Sequence, residues 1–276
     1  MKKLLALILA LMMITVMLTA CGAPKAPTDD TAADDDTGAP VEKTDLQYVL
    51  DKGVLVVGIT DFAPMDYEDE NGEWIGFDAD MAKAFAENLG VDVEFVEIEW
   101  GSKKMELDGK TIDCVWNGMT LTDEVKAGME CSKPYCNNAQ VVIVNKDVAD
   151  QYKTKADCMN LNFAVEDGSA GEDMAVENGF NYTAVLDQAT ALFEVSSGTC
   201  DAAIIDSLMA AAMVGPGTGY EGLTYTVGLS TEEYGVGFRK GSELADKLDE
   251  FFEAAMADGS MEECAKKYGV QAALIK

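Results

Sequence analysis

Between Gly53 and Val115 the chain repeats one pattern: an apolar run of strand length, then a stretch with apolar residues on one helical face, then another apolar run. Gly53-Val54-Leu55-Val56-Val57-Gly58-Ile59 shows no polar alternation, as expected of a strand buried on both faces of a parallel sheet. Asp78 stands where a helix cap is wanted, Met81, Ala82, Phe85 and Leu89 share one face of the helix that follows, and Gly90 ends it. Residues 91–98 and 112–116 read as the next two strands. Strand, helix, strand, helix, strand in this order defines an α/β lobe with parallel strands.

In such sheets ligands gather beyond the carboxyl ends of the strands. Asp61 and Phe62 follow the first strand, Trp100 the second, and Asn117-Gly118-Met119-Thr120 the third, so all fall on one rim. Aromatic residues at strand ends also serve as core plugs; three successive ends with polar and aromatic residues point to a pocket. Asn117 to Thr120 interrupt the third apolar run, and Gly118 lets backbone come close to whatever lies above it. Read as a βα corner, this segment gathers amide groups, a threonine hydroxyl and the positive start of a helix, which suits an anion or polar head group. It serves equally as an ordinary strand-to-helix turn.

The pattern then recurs. Gln140-Val141-Val142-Ile143-Val144 reads as a strand crossing into a second lobe, Asn162 to Val165 as a strand within it, and Gly168-Ser169-Ala170-Gly171 as the opening of a helix. The Ser169 and Ala170 amides can face an anion there, while Glu172 and Asp173 in the first turn suit the helix dipole. Glu166, just before this loop, puts a further negative charge near the pocket mouth. A helix from Asp187 to Val195 leads to the strand Ala202-Ala203-Ile204-Ile205, which ends in Asp206. A carboxylate directly after a buried strand is costly unless paired or solvated at the strand end, and Asp206 also stands where it could cap the helix from Ser207. Tyr225 to Gly228 crosses back, Tyr234 to Phe238 rejoins the first lobe, and Ser242 caps a helix bearing Leu244, Leu248 and Phe252. Two crossings make lobe one discontinuous, 44–139 with 229–276, around lobe two at 140–228, and they form a hinge about which the lobes can close.

Ahead of the folded body stand two segments of other kinds. Lys2 and Lys3, an apolar run from Leu4 to Leu18 and small residues before Cys21 make a targeting segment that resembles the lipobox of bacterial lipoproteins, with Cys21 as the lipidated residue. The run is short for a membrane span. Residues 22–43, rich in Ala, Pro, Thr and Asp, read as a disordered acidic tether. The expected location is outside the cytoplasmic membrane, lipid-anchored at the cell surface or periplasmic face. A formal charge of −30 over 276 residues argues against nucleic acid and anionic membrane surfaces as partners. The chain has no histidine, hence neither the usual general base nor the commonest metal ligand. The cysteine spacings match no metal ribbon and no cofactor is called for; the six cysteines beyond Cys21 read as small hydrophobes, with Cys131 and Cys136 the obvious local pair if any bridge forms.

Lys52-Gly53 to Gly58, the loop with Pro64 and Tyr67, Asp69-Glu70-Asn71-Gly72, Gly76-Phe77-Asp78 with Asp80-Met81-Ala82, and Asn117-Gly118-Met119-Thr120 with Ser132-Lys133-Pro134-Tyr135 resemble the family-3 extracellular solute-binding proteins of polar amino-acid ABC importers. The resemblance runs in order from about Asp45 to Tyr268. It implies a two-lobed periplasmic-binding-protein-like fold of type II with two hinge-crossing strands, no catalysis, a small-molecule ligand (an amino acid or amine), and the importer's membrane subunits as partners. On this resemblance Phe62 and Trp100 sandwich the ligand side chain, Gly118 and Thr120 donate to its carboxylate, Asn117 sits beside its amino group, the Ser169–Ala170 loop completes the carboxylate site, and Asp206 holds the ammonium. Asp61 belongs to the same rim. The family pattern places a carboxylate-clamping arginine five residues after the threonine, where this chain has Val125, and a valine supplies no donors. Either Lys103 or Lys104 reaches in instead, or the ligand is an amine without a carboxylate. Some relatives of this fold resemble cyclohexadienyl dehydratases, for which Glu166 would be the acid, and a surface sensor lipoprotein is a third reading.

Overall fold

The uninterrupted apolar run becomes the strand Val54–Ile59, whose last five residues are all buried. The computed structural model describes residues 43–276; the targeting segment with Cys21 and the tether up to residue 42 lie outside the described residues. Val54–Ile59 sits second in a six-stranded sheet, between Asp92–Glu97 and Cys114–Thr120 and parallel to both. Beyond Cys114–Thr120 the sheet turns antiparallel with Glu232–Phe238, on which the short strands Glu130–Cys131 and Cys136–Asn138 pair. A second sheet of five strands takes Asn181–Val185, Asn162–Glu166, Ala202–Asp206, Gln140–Asn145 and Leu223–Gly228, in that spatial order. Its first three strands are parallel and the other two pair antiparallel. The chain passes between the sheets twice, at 138–140 and at 228–232.

Two local expectations are corrected. Asn117 to Thr120 do not end the third strand, which continues through Thr120 with Gly118 in a left-handed backbone (φ 56°) inside it, a conformation glycine adopts without strain. The following helix, Asp123–Gly128, is capped by Thr122, whose hydroxyl accepts the Val125 N–H at 3.1 Å. Asp78 is not a cap either: the helix Phe77–Leu89 is preceded by Gly76, and Asp78 turns inward, fully buried. There its Oδ2 accepts the Gly118 N–H and the Tyr135 hydroxyl, both at 2.7 Å.

Cys131 and Cys136 are free thiols, as are Cys114, Cys158, Cys200 and Cys264. Sheet register explains why the local pair does not bridge: Cys131 stands opposite Gly237 and Cys136 opposite Tyr234. Three residues along a strand is about 10 Å, beyond the reach of a disulfide.

Under the first sheet, Trp116 packs edge-on against Phe85 and Phe252 with ring centroids 6.2 and 5.6 Å away. At the edge of this core Arg239 is buried with its donors committed, to Asp45 at 2.6 Å, Asp113 at 2.9 Å and the Ile112 carbonyl at 2.6 Å. Asp113, fully buried, also takes Lys52 and the Val56 N–H. A buried ion network of this kind is sustained by completeness: each oxygen has a donor, so no charge is left alone in low dielectric.

Asp78 lies in a costlier arrangement. Burial pushes its carboxyl up to about 7, against the pull of the Tyr135 and Gly118 donors. Asp66 is raised too, by its own burial and then by Asp78. An acid raised in the folded chain holds its proton more tightly there than when unfolded. Its contribution to stability is therefore intact below the ordinary carboxylate range and is lost as pH climbs toward 7. Denaturant titrations should give lower stability at about pH 8 than at about pH 5, by on the order of a few kcal/mol, and Asp78→Asn should flatten that slope because an amide oxygen still accepts both donors.

Candidate functional site

The cavity of about 220 Å³ that opens between the two sheets gathers residues from both. From the first sheet's carboxyl rim come Phe62, Trp100, Asn117, Gly118 and Thr120, and from the second come Glu166, Ser169, Ala170 and Asp206. Lys103 also lines it, as does Lys104. Asp61 does not: it is exposed beside Phe62, the residue of that loop that turns inward (2% exposed). Asp61 is therefore corrected out of the lining.

The aromatic wall depends on glycine. A Cβ on Gly118 would fall 2.4 Å from Phe62 Cε1 and 3.1 Å from the Tyr234 ring, so only glycine lets Phe62 lie over the strand. Trp100, buried in a short turn after Asp92–Glu97, carries the Lys103 ammonium 4.8 Å from its ring centroid. Lys103 Nζ also donates to the Gly168 carbonyl, 2.9 Å away on the opposite side of the cleft, and to the Trp100 carbonyl. Burial lowers its pKa, opposed by Glu166 and Asp173.

Most groups expected to receive an anion are already committed. The Gly118 amide is held by Asp78. The Thr120 hydroxyl donates to Glu232 Oε1 at 2.9 Å. The Ser169 amide donates to the Glu166 carbonyl at 3.2 Å, and the Ser169 hydroxyl caps its own helix by accepting the Glu172 N–H. Asn117 is locked as well: its Nδ2 donates to Asp66 and the Thr60 carbonyl, and its Oδ1 accepts the Thr60 hydroxyl. All four line the cavity while also bracing the protein around it. Val125 lines the cavity and, with Met119 and Met129, adds apolar surface.

The acidic side is built differently. Asp206 terminates its strand with no capping bond to the helix Ser207–Met213, which removes the competing role. Its carboxylate accepts from Gln188 Nε2 at 3.2 Å and from Gln140 Nε2, while its amide donates to Gln188 Oε1 at 2.8 Å. Burial first, then Glu232, push Asp206 up to about 7. Glu166 is buried among the lining residues, its Oε1 without a hydrogen-bond partner among the described residues. Burial and then the Asp206 charge raise it to about 8. Glu166 is thus a buried acid of the cavity lining, whose carboxyl holds its proton more tightly than an exposed glutamate would.

Three residues that sequence reasoning passed over hold this together. Gln140, at the first crossing, donates to both Asp206 and Glu232; Gln188 braces Asp206; and Glu232, at the return crossing, accepts from Thr120, Asn138 and Gln140. Glu232 thus ties the rim of the first sheet to both crossings. Their only sequence signal was position, polar residues at the first turn of a helix or the start of a crossing strand.

Two sheets of mixed α/β build, joined by two crossings with a polar and aromatic cavity between them, define the type II class of periplasmic binding proteins. The family model for bacterial extracellular solute-binding proteins, family 3, matches residues 55–271, and the chain belongs to that family. It is 28% identical over 275 residues to the arginine-binding extracellular protein ArtP of Bacillus subtilis, covering 97% of this chain and 98% of that one. It is 27% identical over 227 residues to the L-cystine-binding protein TcyJ of Escherichia coli K12, covering 81% and 85%. Among solved structures, the ancestral amino acid-binding protein AncCDT-1, a precursor of cyclohexadienyl dehydratase, superposes with a TM-score of 0.73 at 33% identity, covering 82% of this chain and 99% of that one. The chain is a solute-binding protein and not an enzyme. Among the described residues no helix is long and apolar enough to cross a membrane.

Proposed function

We propose that this protein captures an amino acid or related small amine in the interlobe cavity and delivers it to the membrane subunits of an ABC importer. The lobes, 44–139 with 229–276 and 140–228, close about the two crossings as rigid bodies. Asp206 receives the ligand's ammonium, Phe62 and Trp100 take its side chain out of water, and Ala170 and Lys103 supply the remaining polar contacts. The observation that carries this is the buried Asp206 carboxylate, held by Gln140 and Gln188 and aimed into a cavity walled by aromatic side chains. Exclusion of water on closure strengthens the charge pair. Cys21 carries the lipid, and the acidic tether gives the folded body reach from the membrane. Relatives named for arginine, cystine and other amino acids support the substrate class.

A melting-shift screen over amino acids and small amines tests the proposal. Saturation at about a hundred times Kd is worth about 2.7 kcal/mol of stability, a shift of several degrees in a protein of this size. Uniform silence across both classes would overturn it.

A further inference from the structure

We infer that the ligand is a carboxylate-free organic amine whose cationic nitrogen sits between the Glu166 and Asp206 carboxyl groups. This rests on the capture role proposed above and narrows its substrate class.

Two independent observations carry it. The first is the loss of the anion side. The clamp position is Val125, the Gly118 amide is spent on Asp78, the Thr120 hydroxyl on Glu232 and the Ser169 amide on the Glu166 carbonyl. An α-carboxylate placed here would find Lys103, itself tied to two carbonyls, Lys104, itself paired with Asp108, and the Ala170 amide, against an apolar wall of Met119, Val125 and Met129. A desolvated carboxylate with so few donors is strongly disfavoured.

The second observation is an excess of acid. Glu124, Glu166, Asp173 and Asp206 line the cavity against Lys103 and Lys104, and Lys104 is paired with Asp108 at 2.5 Å. Glu166 lines the cavity, and its Oε1 is buried with no hydrogen-bond partner among the described residues. An ammonium or guanidinium placed between it and Asp206 satisfies both carboxylates at once. The groups facing Glu166 are Asp206, Asp187, Gln188 and Lys103. Those facing Asp206 are Glu232, Gln140, Gln188 and Tyr234. Charged neighbours of both acids are thus mostly negative, which favours a proton on the pair, whereas a bound cation favours its ionised form. Binding then releases that proton to solvent.

Calorimetry on the purified full chain near neutral pH, with L-lysine against cadaverine, L-arginine against agmatine and L-phenylalanine against phenethylamine, tests the inference. In at least one pair the amine is expected to bind about tenfold or more tighter than its parent, and its binding heat should differ between phosphate and Tris by the ionisation heat of the buffer. Glu166→Gln should remove that proton release and weaken the amine by about tenfold, and Val125→Arg should move the preference toward the parent amino acid. Parent amino acids that bind as tightly as their amines, or more tightly, in every pair that binds overturn the inference while leaving the capture role intact. Silence from all six compounds overturns both.

Discussion

Replacing Asp206 by alanine is expected to weaken ligand capture by about 2–5 kcal/mol, roughly thirtyfold to several thousandfold in Kd, while the melting temperature of the unliganded protein holds or rises. The two effects part because Asp206 is a poor neighbour in the folded chain. It is buried, pushed up to about 7, and repelled by Glu232. Its deletion relieves that cost and leaves Gln140 and Gln188 beside a cavity that water can enter. The liganded protein reverses the balance, since a cation turns the same burial into a strong pair. Asp206→Asn, equal in shape and without charge, should fall between wild type and alanine. In wild-type protein, affinity should decline as pH drops below about 7, because a proton on Asp206 then competes with the ligand's ammonium. Calorimetry with any ligand that shifts the wild-type melting curve provides the measurement. A variant that melts early and binds normally would assign Asp206 to folding instead.

How much of this was legible in the sequence depends on the range of the signal. Strands such as Val54–Ile59 and helices such as Phe77–Leu89 announce themselves within a dozen residues, by uninterrupted apolar character or helical spacing, and the structure places both as read. The gathering of strand ends on one rim was readable too, because parallel α/β connections leave few alternatives. Individual polar roles were not. Asp78 has the sequence position of a cap and the structural position of an anchor for Gly118, forty residues on. The Thr120 hydroxyl, read as a ligand donor, is taken by Glu232, which lies 112 residues away in the chain. A buried hydrogen bond between distant residues leaves no periodic trace. The sequence can show which polar groups reach a cavity, and only the fold shows which have already found partners inside the protein.

Gly168→Ala should cost about 1–3 kcal/mol of ligand affinity, roughly fivefold to over a hundredfold, by keeping the cleft from closing. The structure brings two glycines together across the cavity mouth: a Cβ on Gly168 would lie 2.7 Å from the Gly101 Cα and 3.3 Å from its nitrogen. Backbone on the far side cannot step aside as a flexible side chain would. The Lys103 bond to the Gly168 carbonyl, which bridges the same gap, would be stretched or lost along with the contact. Because Gly168 also has a left-handed backbone (φ 68°), alanine there carries a conformational cost of about 1 kcal/mol that has nothing to do with closure. Gly198→Ala separates the two effects. That glycine has φ 80° at the end of the helix Gln188–Ser197 and meets nothing within 4 Å, so alanine should lower stability by a similar amount and leave affinity unchanged. Small-angle scattering with saturating ligand should show the Gly168 variant more extended than wild type and the Gly198 variant indistinguishable from it. Equal affinities for the two variants would mean that closure does not require these backbones to touch. The lobes would then be held together by the ligand and by side-chain bonds such as that of Lys103 to the Gly168 carbonyl and those of Glu232 at the crossings.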